Sequence, residues 1–304
     1  MTPLISIVVI TYNSAEYVLE TLESTKAQTY QNIELIISDD ASADKTVQLC
    51  EKWLTTNQSR FTRVQLLKSK KNSGVSANCN RGLYASKGEW IKFIAGDDIL
   101  LDECIAMYYK FISRTKSLFI FSIPSVLISP ENEPLKNQME NFYRSSSRFF
   151  SLNARKQFEY LLINQIPVNP PTLFCNRQAL IRLKGFDERH KCEDLPLYLN
   201  ATYNGYTLGF INKKTIRYRL HSNQLSVKDQ KGSVNRYWFY EQLRIKRQYL
   251  TIRFIFFNPL LFAEYLIEQS SKILIMQADN NRFLSSLVSL LKQIKSRISF
   301  SYIR

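Results

Sequence analysis

The sequence predicts an α/β protein: a doubly wound, mostly parallel sheet with a helical C-terminal extension. Three observations carry that reading. Short β-branched runs alternate with helix-length segments through the first hundred residues. Polar, turn-forming clusters close several of these runs, as expected at the carboxyl ends of buried strands. From Val234 onward the pattern is helical, with no Gly and a single Pro.

Taken in order, Ile5-Ser6-Ile7-Val8-Val9-Ile10 is too short for a helix and reads as a buried parallel strand. Thr11-Tyr12-Asn13-Ser14 ends it with turn and N-cap chemistry, and a helix follows through about Gln28. Glu34 to Ser38 is the second strand, Asp39-Asp40-Ala41-Ser42 its turn, and Asp44 to Leu54 the second helix. Val64 to Leu67 is a third strand, Gly74 to Ser86 a loop leading into a helix, and Trp90 to Ile94 a fourth strand. Beyond residue 100 the alternation weakens. Ser117 to Ile128 is strand material, Pro130 to Ser151 is polar and loop-like, and the helix beginning at Phe158 must end before Pro167, Pro170 and Pro171. Tyr206 to Ile211 and Thr215 to Leu220 read as two further strands.

Composition excludes several classes. The chain has 304 residues, 45% hydrophobic and 22% charged, so it can bury a sizeable core. It is not a disordered tail, a collagen-like chain or a disulfide miniprotein. The net charge of +15 favours anionic partners such as nucleotide phosphates, nucleic acid or an acidic membrane. Residues 233–304 carry +7 of it, although they form under a quarter of the chain. Cys50, Cys79, Cys104, Cys175 and Cys192 are odd in number and unpaired in spacing, so free thiols in a reducing, cytoplasmic setting are expected. The N-terminus lacks a signal-peptide pattern, and no run of about 18 apolar residues marks a membrane span.

In open α/β sheets, ligands bind beyond the carboxyl ends of the strands. Here the first strand ends in Thr11-Tyr12-Asn13, the second in Asp39-Asp40 and the fourth in Gly96-Asp97-Asp98. A nucleotide needs one group to read base and ribose, and another to hold the Mg²⁺ or Mn²⁺ that bridges its phosphates. Two acidic pairs at neighbouring strand tips suit those two tasks. Each pair could instead cap a helix, but both together at consecutive tips favour a site.

The run Ile5 to Asn13, Ser38 to Thr46, Asn72-Ser73-Gly74-Val75-Ser76 with Asn80 and Gly82, and Gly88 to Asp98 resembles the family 2 inverting glycosyltransferases. The likeness continues through Gly185-Phe186-Asp187, Glu193-Asp194 and Tyr218-Arg219-Leu220-His221, spanning roughly residues 4 to 227 in the family's order. It implies a GT-A fold over residues 1–230, a nucleotide-sugar half to about residue 100 and an acceptor half after it, followed by a helical basic and aromatic region at 231–304. Thr11 and Asp40 would contact base and ribose, with Tyr12 and Asn13 shaping that wall. The loop carrying Asn72, Gly74 and Asn78 would line the nucleotide pocket. Asp97 and Asp98 would hold Mn²⁺ or Mg²⁺, with His221 closing over metal or diphosphate and Asp97 also facing the donor. Asp194 would be the catalytic base. Many members carry an acid two residues before Asp97; here that residue is Ala95.

The implied reaction is inverting transfer of a sugar, from a UDP-sugar, to a polyprenyl-diphosphate-linked saccharide in O-antigen, capsule or related polysaccharide assembly. The implied setting is the cytoplasmic face of the inner membrane. A helical stripe of Leu284, Leu287, Val288, Leu291, Ile294 and Ile298 among Arg282, Lys292, Lys295 and Arg297 reads either as docked on the catalytic domain or as lying on anionic lipid. The segment from Arg236 to Phe257, with Trp238, Tyr240, Tyr249 and Phe254, fits either reading. The competing function is a non-catalytic binder of nucleotide sugar or nucleic acid, the latter without a helix-turn-helix, zinc or RNA-binding motif to support it. A glycoside hydrolase would need two carboxylates flanking a sugar bond, whereas the strand-tip clusters suit a nucleotide.

Overall fold

The structure is a computed structural model that describes residues 2–127, 136–137, 139–142, 147–164, 168–221, 230–231, 234–251, 258–277, 286–291 and 293–294. The chain divides into two compact units: Met1–Gln157 with Pro167–Leu220, and Phe158–Ile166 with His221–Arg304.

The first unit is built on an eight-stranded sheet. Its strands are β1 (Ile5–Thr11), β2 (Ile33–Asp39), β3 (Arg63–Lys68), β4 (Trp90–Ala95), β5 (Ile99–Leu100), β6 (Phe119–Leu127), β7 (Phe174–Asn176) and β8 (Leu208–Arg219), in the order β3-β2-β1-β4-β7-β6-β8-β5. β1 pairs in parallel with both β2 and β4, Thr11 facing Asp39 and Ile10 facing Ala95, so three polar tips end side by side. β2 is buried at every position and β1 at all but Ile10, because helices cover both faces. The helices are α1 (Val18–Lys26), α2 (Thr46–Asn57), α3 (Val75–Ala85), α4 (Cys104–Ile112), α5 (Ser147–Phe150), α6 (Ala154–Ile163), α7 (Arg177–Arg182) and α8 (Asp194–Tyr203). α3 approaches β1 closely at Gly82, where a Cβ would overlap Val8 Cγ1.

β7 lies between β4 and β6 and runs antiparallel to both, so β4 and β6 point the same way. An aromatic stack seals that seam: Trp90 lies 5.2 Å from Phe174, and Phe174 lies 4.7 Å from Tyr108 of α4. The two strands expected at 206–211 and 215–220 are one strand, β8. Its polar Asn212 and Lys213 are exposed, and the ladder with β6 shifts register between Ser122 and Pro124. The polar interruption thus marks an irregular stretch of ladder and not a turn. All five cysteines are free and buried.

The second unit contains a short hairpin, β9 (Gln230–Lys231) with β10 (Val234–Asn235), and helices α9 (Arg236–Arg247) and α10 (Pro259–Gln277). Residues of α6 from Phe158 onward belong with it. Ile163, Leu261 and Tyr265 form its small core, and Phe158 meets Tyr249 edge to face at 5.4 Å. The expected helical tail is helical at 286–291, with Val288 buried and Ile294 exposed. Arg282, Leu284, Lys292, Lys295, Arg297 and Ile298 lie outside the described residues, as does Phe254. Among the described residues, no helix is long and apolar enough to cross a membrane.

Candidate active site

The tips of β1 and β2 are locked together by side chains. Thr11 Oγ1 donates to Asp39 Oδ2 at 2.8 Å, and Asp39 also accepts from the Ser42 N–H and hydroxyl. Asn13, in a left-handed conformation at φ 52°, donates its N–H to Ser42 Oγ and accepts from the Ala43 N–H. Asp39 is therefore the framework acid and Asp40 the one turned toward the next loop. Asp40 Oδ2 accepts from the N–H groups of Ser73 and Gly74 at 3.0 and 2.8 Å, and Asp40 Oδ1 meets Arg81 at 2.5 Å.

Gly74, at φ 91°, turns the chain into α3 and takes a second acceptor in Asn72 Oδ1 at 3.1 Å. Asn78 is buried, its amide donating to Thr11 O at 3.1 Å and accepting from Arg81. Of the residues expected to bind the nucleotide, Tyr12, Asn13, Asn72 and Gly74 are exposed. Thr11 and Asn78 sit beneath them with their side chains bonded inside the protein.

Asp97 and Asp98 turn the chain from β4 into β5. Asp97 is half-buried; Asp98 is fully buried, accepting the Arg219 N–H on Oδ1 at 2.9 Å. Asp98 Oδ2 is buried with no hydrogen-bond partner. Burial and the adjacent Asp97 charge push the Asp98 carboxyl well above the usual carboxylate range. Such an oxygen is costly unless a proton or a cation satisfies it, and paired carboxylates suit a hard divalent ion. The residues present thus fit Mg²⁺ or Mn²⁺. Among the described residues no group of three or more His, Cys, Asp or Glu gathers, so phosphate oxygens and water would complete the shell. His221, half-buried, is the first residue of the second unit.

Asp194 opens α8, and its Oδ1 accepts the Leu195 N–H at 2.6 Å. The loop before it is anchored by Asn80 of α3. Asn80 Nδ2 donates to Phe186 O at 2.9 Å and Glu188 Oε1 at 2.7 Å, and its Oδ1 accepts the Phe186 N–H at 2.8 Å. Phe186 in turn packs edge-on against Phe93 of β4 at 5.1 Å. Glu193 and Asp194 open on a small cleft of about 60 Å³ that also touches Ile10 and Ala95. Ile10 immediately precedes Thr11, and Ala95 stands two residues before Asp97. The acids of α8 thus line a depression together with residues at the ends of β1 and β4. Both acids are half-buried, and desolvation raises both pKa values. The Asp194 charge adds to the effect on Glu193, which is pushed up to about 7.

Two residues here were not singled out in the sequence, and a third, Arg219, stood there only within the Tyr218–His221 motif. Lys92 is a charged residue inside the apolar run of β4, which is the signal that could have found it. It is fully buried, donating to Phe93 O at 2.9 Å and to Pro171 O, and burial pushes its pKa down to about 8. It tethers the 3₁₀ turn Pro170–Thr172, whose Pro170 and Pro171 line the cleft. Arg81 is partner to Asp40, and Arg219 bonds both acids of the turn.

A mostly parallel sheet with acids at its strand tips, and a helix-borne acid beside the ends of β1 and β4, places polar groups where open α/β sheets bind ligands. The profile of "Glycosyl transferase family 2" matches residues 6–182, and the chain belongs to that family. Glycosyltransferase GlyG of Streptococcus pneumoniae is 36% identical over 110 residues, 36% of this chain and 35% of that protein. The UDP-Glc:alpha-D-GlcNAc-diphosphoundecaprenol beta-1,3-glucosyltransferase WfaP of Escherichia coli is 33% identical over 119 residues, 39% of this chain and 45% of that protein. The matches thus span less than half of either relative's length. The crystal structure of S. aureus TarS 1-349 in complex with UDP-GlcNAc superposes with a TM-score of 0.62 at 20% identity, covering 88% of this chain and 72% of that one. The fold is GT-A.

Proposed function

We propose that this glycosyltransferase inverts the anomeric centre of a UDP-sugar while moving that sugar to a hydroxyl of a polyprenyl-diphosphate-linked saccharide, in assembly of a bacterial surface polysaccharide. The observation that carries the reading is the shared cleft of Asp194, Ala95 and Ile10. The UDP and lipid-linked terms draw support from the names of WfaP and TarS.

In this reading Asp40, Tyr12, Asn13 and the Asn72–Gly74 loop hold base and ribose, with Thr11 and Asn78 bracing them from below. The acceptor hydroxyl attacks the anomeric carbon opposite the diphosphate. Its proton passes to the Asp194 carboxylate as the new C–O bond forms and the bond to the diphosphate breaks. Such assistance is worth about 10²–10⁴-fold. Asp97 and Asp98 would hold Mg²⁺ or Mn²⁺; the ion would supply Lewis-acid stabilisation of the departing diphosphate. Lys92 keeps the Pro170–Thr172 wall rigid, limiting water near the reacting centre. Leu260, Leu266 and Ile273 are exposed on α10 in the more basic part of the chain, and they supply a contact for anionic membrane on its cytoplasmic face.

A panel of UDP-, GDP- and dTDP-sugars with Mn²⁺, scored by thermal unfolding, tests the donor. A ligand at 100 times its Kd adds about 2.7 kcal/mol. Stabilisation by the UDP series alone is expected. Stabilisation by GDP-sugars alone contradicts the UDP assignment, and none by any donor contradicts the function.

A further inference from the structure

β5 follows the acidic turn without a break and runs antiparallel to β8, with Ile99 opposite Arg217 and Leu100 opposite Ile216. Continuing that register brings the end of β8 against the two acids. Arg219, the last residue of the strand, meets both. Its N–H donates to Asp98 Oδ1 at 2.9 Å, and its Nε donates to Asp97 O at 2.9 Å. The rest of the guanidinium is anchored on the α1 side: Nη2 donates to Glu20 Oε2 at 2.8 Å, and the group lies 4.5 Å over the Tyr17 ring. From the same helix, Thr21 Oγ1 donates to Asp98 O at 2.8 Å. The turn is thus held from β8 and from α1, and Arg219 joins the two. These ties occupy Asp98 Oδ1 and leave Oδ2, buried, without a partner.

We infer that Arg219 is a positioning residue for the metal-binding acids: it fixes the Asp97–Asp98 turn so that its carboxylates present oxygen to one divalent cation. The inference rests on reading that turn as the metal and diphosphate site. Side chains that orient metal ligands, without touching the ion, typically cost about 10–100-fold in metal affinity when removed. A residue that only tied off the strand end would alter stability and leave metal affinity alone.

The test is calorimetric titration of Mn²⁺ into the full chain saturated with UDP, for the wild type and for Arg219→Gln, Arg219→Lys and Glu20→Gln. Arg219→Gln removes the Nε donor and the charge but keeps the backbone N–H on Asp98. It is expected to bind Mn²⁺ at least about 10-fold more weakly. Metal-free UDP affinity should stay within about twofold of wild type, because the loop at Asp40 is untouched. Arg219→Lys should recover part of the loss. Glu20→Gln alters a carboxylate that is more than half exposed and bonds neither acid. It removes the charge from the guanidinium's outer anchor, so Mn²⁺ binding should weaken by about two- to fivefold. Wild-type Mn²⁺ affinity in folded Arg219→Gln overturns the inference. If that variant does not fold, wild-type affinity in Glu20→Gln overturns it instead. A wild-type protein that binds UDP but no Mn²⁺ overturns the metal reading, and the inference falls with it.

Discussion

Arg81 and Asp40 stand 2.5 Å apart, and the other oxygen of Asp40 accepts from two successive backbone N–H groups, at Ser73 and Gly74. One nearly buried carboxylate at the tip of β2 thus organises the loop that leads into α3. Charge-assisted bonds of this kind hold a loop more firmly than neutral ones.

Arg81→Met removes the cation and leaves Asp40 on two N–H donors. Arg81 is partly exposed, so the loss should be moderate, about 1–3 kcal/mol by denaturant titration. Asp40→Asn also discards the charge that aligns both N–H groups, and UDP affinity should fall by about tenfold or more. Unchanged UDP affinity in Asp40→Asn would show that the loop's order does not depend on this acid.

Glu34, at the opposite end of β2, supplies a pH test of the fold. Burial pushes its pKa up, but Ser6 Oγ, the Lys87 N–H, Arg63 and the Gly88 N–H together hold it below the usual glutamate value. A carboxylate depressed in the folded state contributes stability above its unfolded pKa and loses it as pH falls through the folded one. Glu34→Gln should cost about 2–3 kcal/mol at pH 7 and flatten the loss of stability below about pH 4.5. Urea melts at pH 7, 4 and 3 measure both effects, and parallel pH curves for the two proteins would contradict the assignment.

The Glu193–Asp194 pair should appear in the pH–rate profile. With Glu193 pushed up to about 7 and Asp194 raised by burial, the pair holds a proton near neutrality, and kcat/KM should rise with pH through an acid limb near there. Glu193→Gln removes the neighbouring charge and should move that limb to lower pH. An acid limb left in place would remove Glu193 from the titration.

Much of this architecture was legible in the sequence, because buried parallel strands need unbroken β-branched runs and their ends need turn residues. The first four strands sit where Ile5–Ile10, Glu34–Ser38, Val64–Leu67 and Trp90–Ile94 placed them, within a residue or so at each end. α4 was not legible: Cys104-Ile105-Ala106-Met107-Tyr108 is almost wholly apolar and lacks a polar face to set its period. β8 was divided in two because exposed polar residues within an irregular ladder look like a turn. At the candidate site, residue types and order pointed to the strand tips and to Asp194. What a linear reading could not supply was which polar atoms are spent internally. Asn78 and Asn72 look alike in sequence, yet one amide is buried against Thr11 O and the other is exposed. Arg219 was visible as part of a motif, but its partners lie about 120 and 200 residues away in the chain.

The central claim is that Asp194 takes the acceptor's proton in the cleft where the donor binds. Turnover and UDP binding measured side by side on Asp194→Asn test it most directly. UDP binding should match wild type while kcat falls by about 10²–10⁴-fold. Wild-type turnover in that variant would contradict the account.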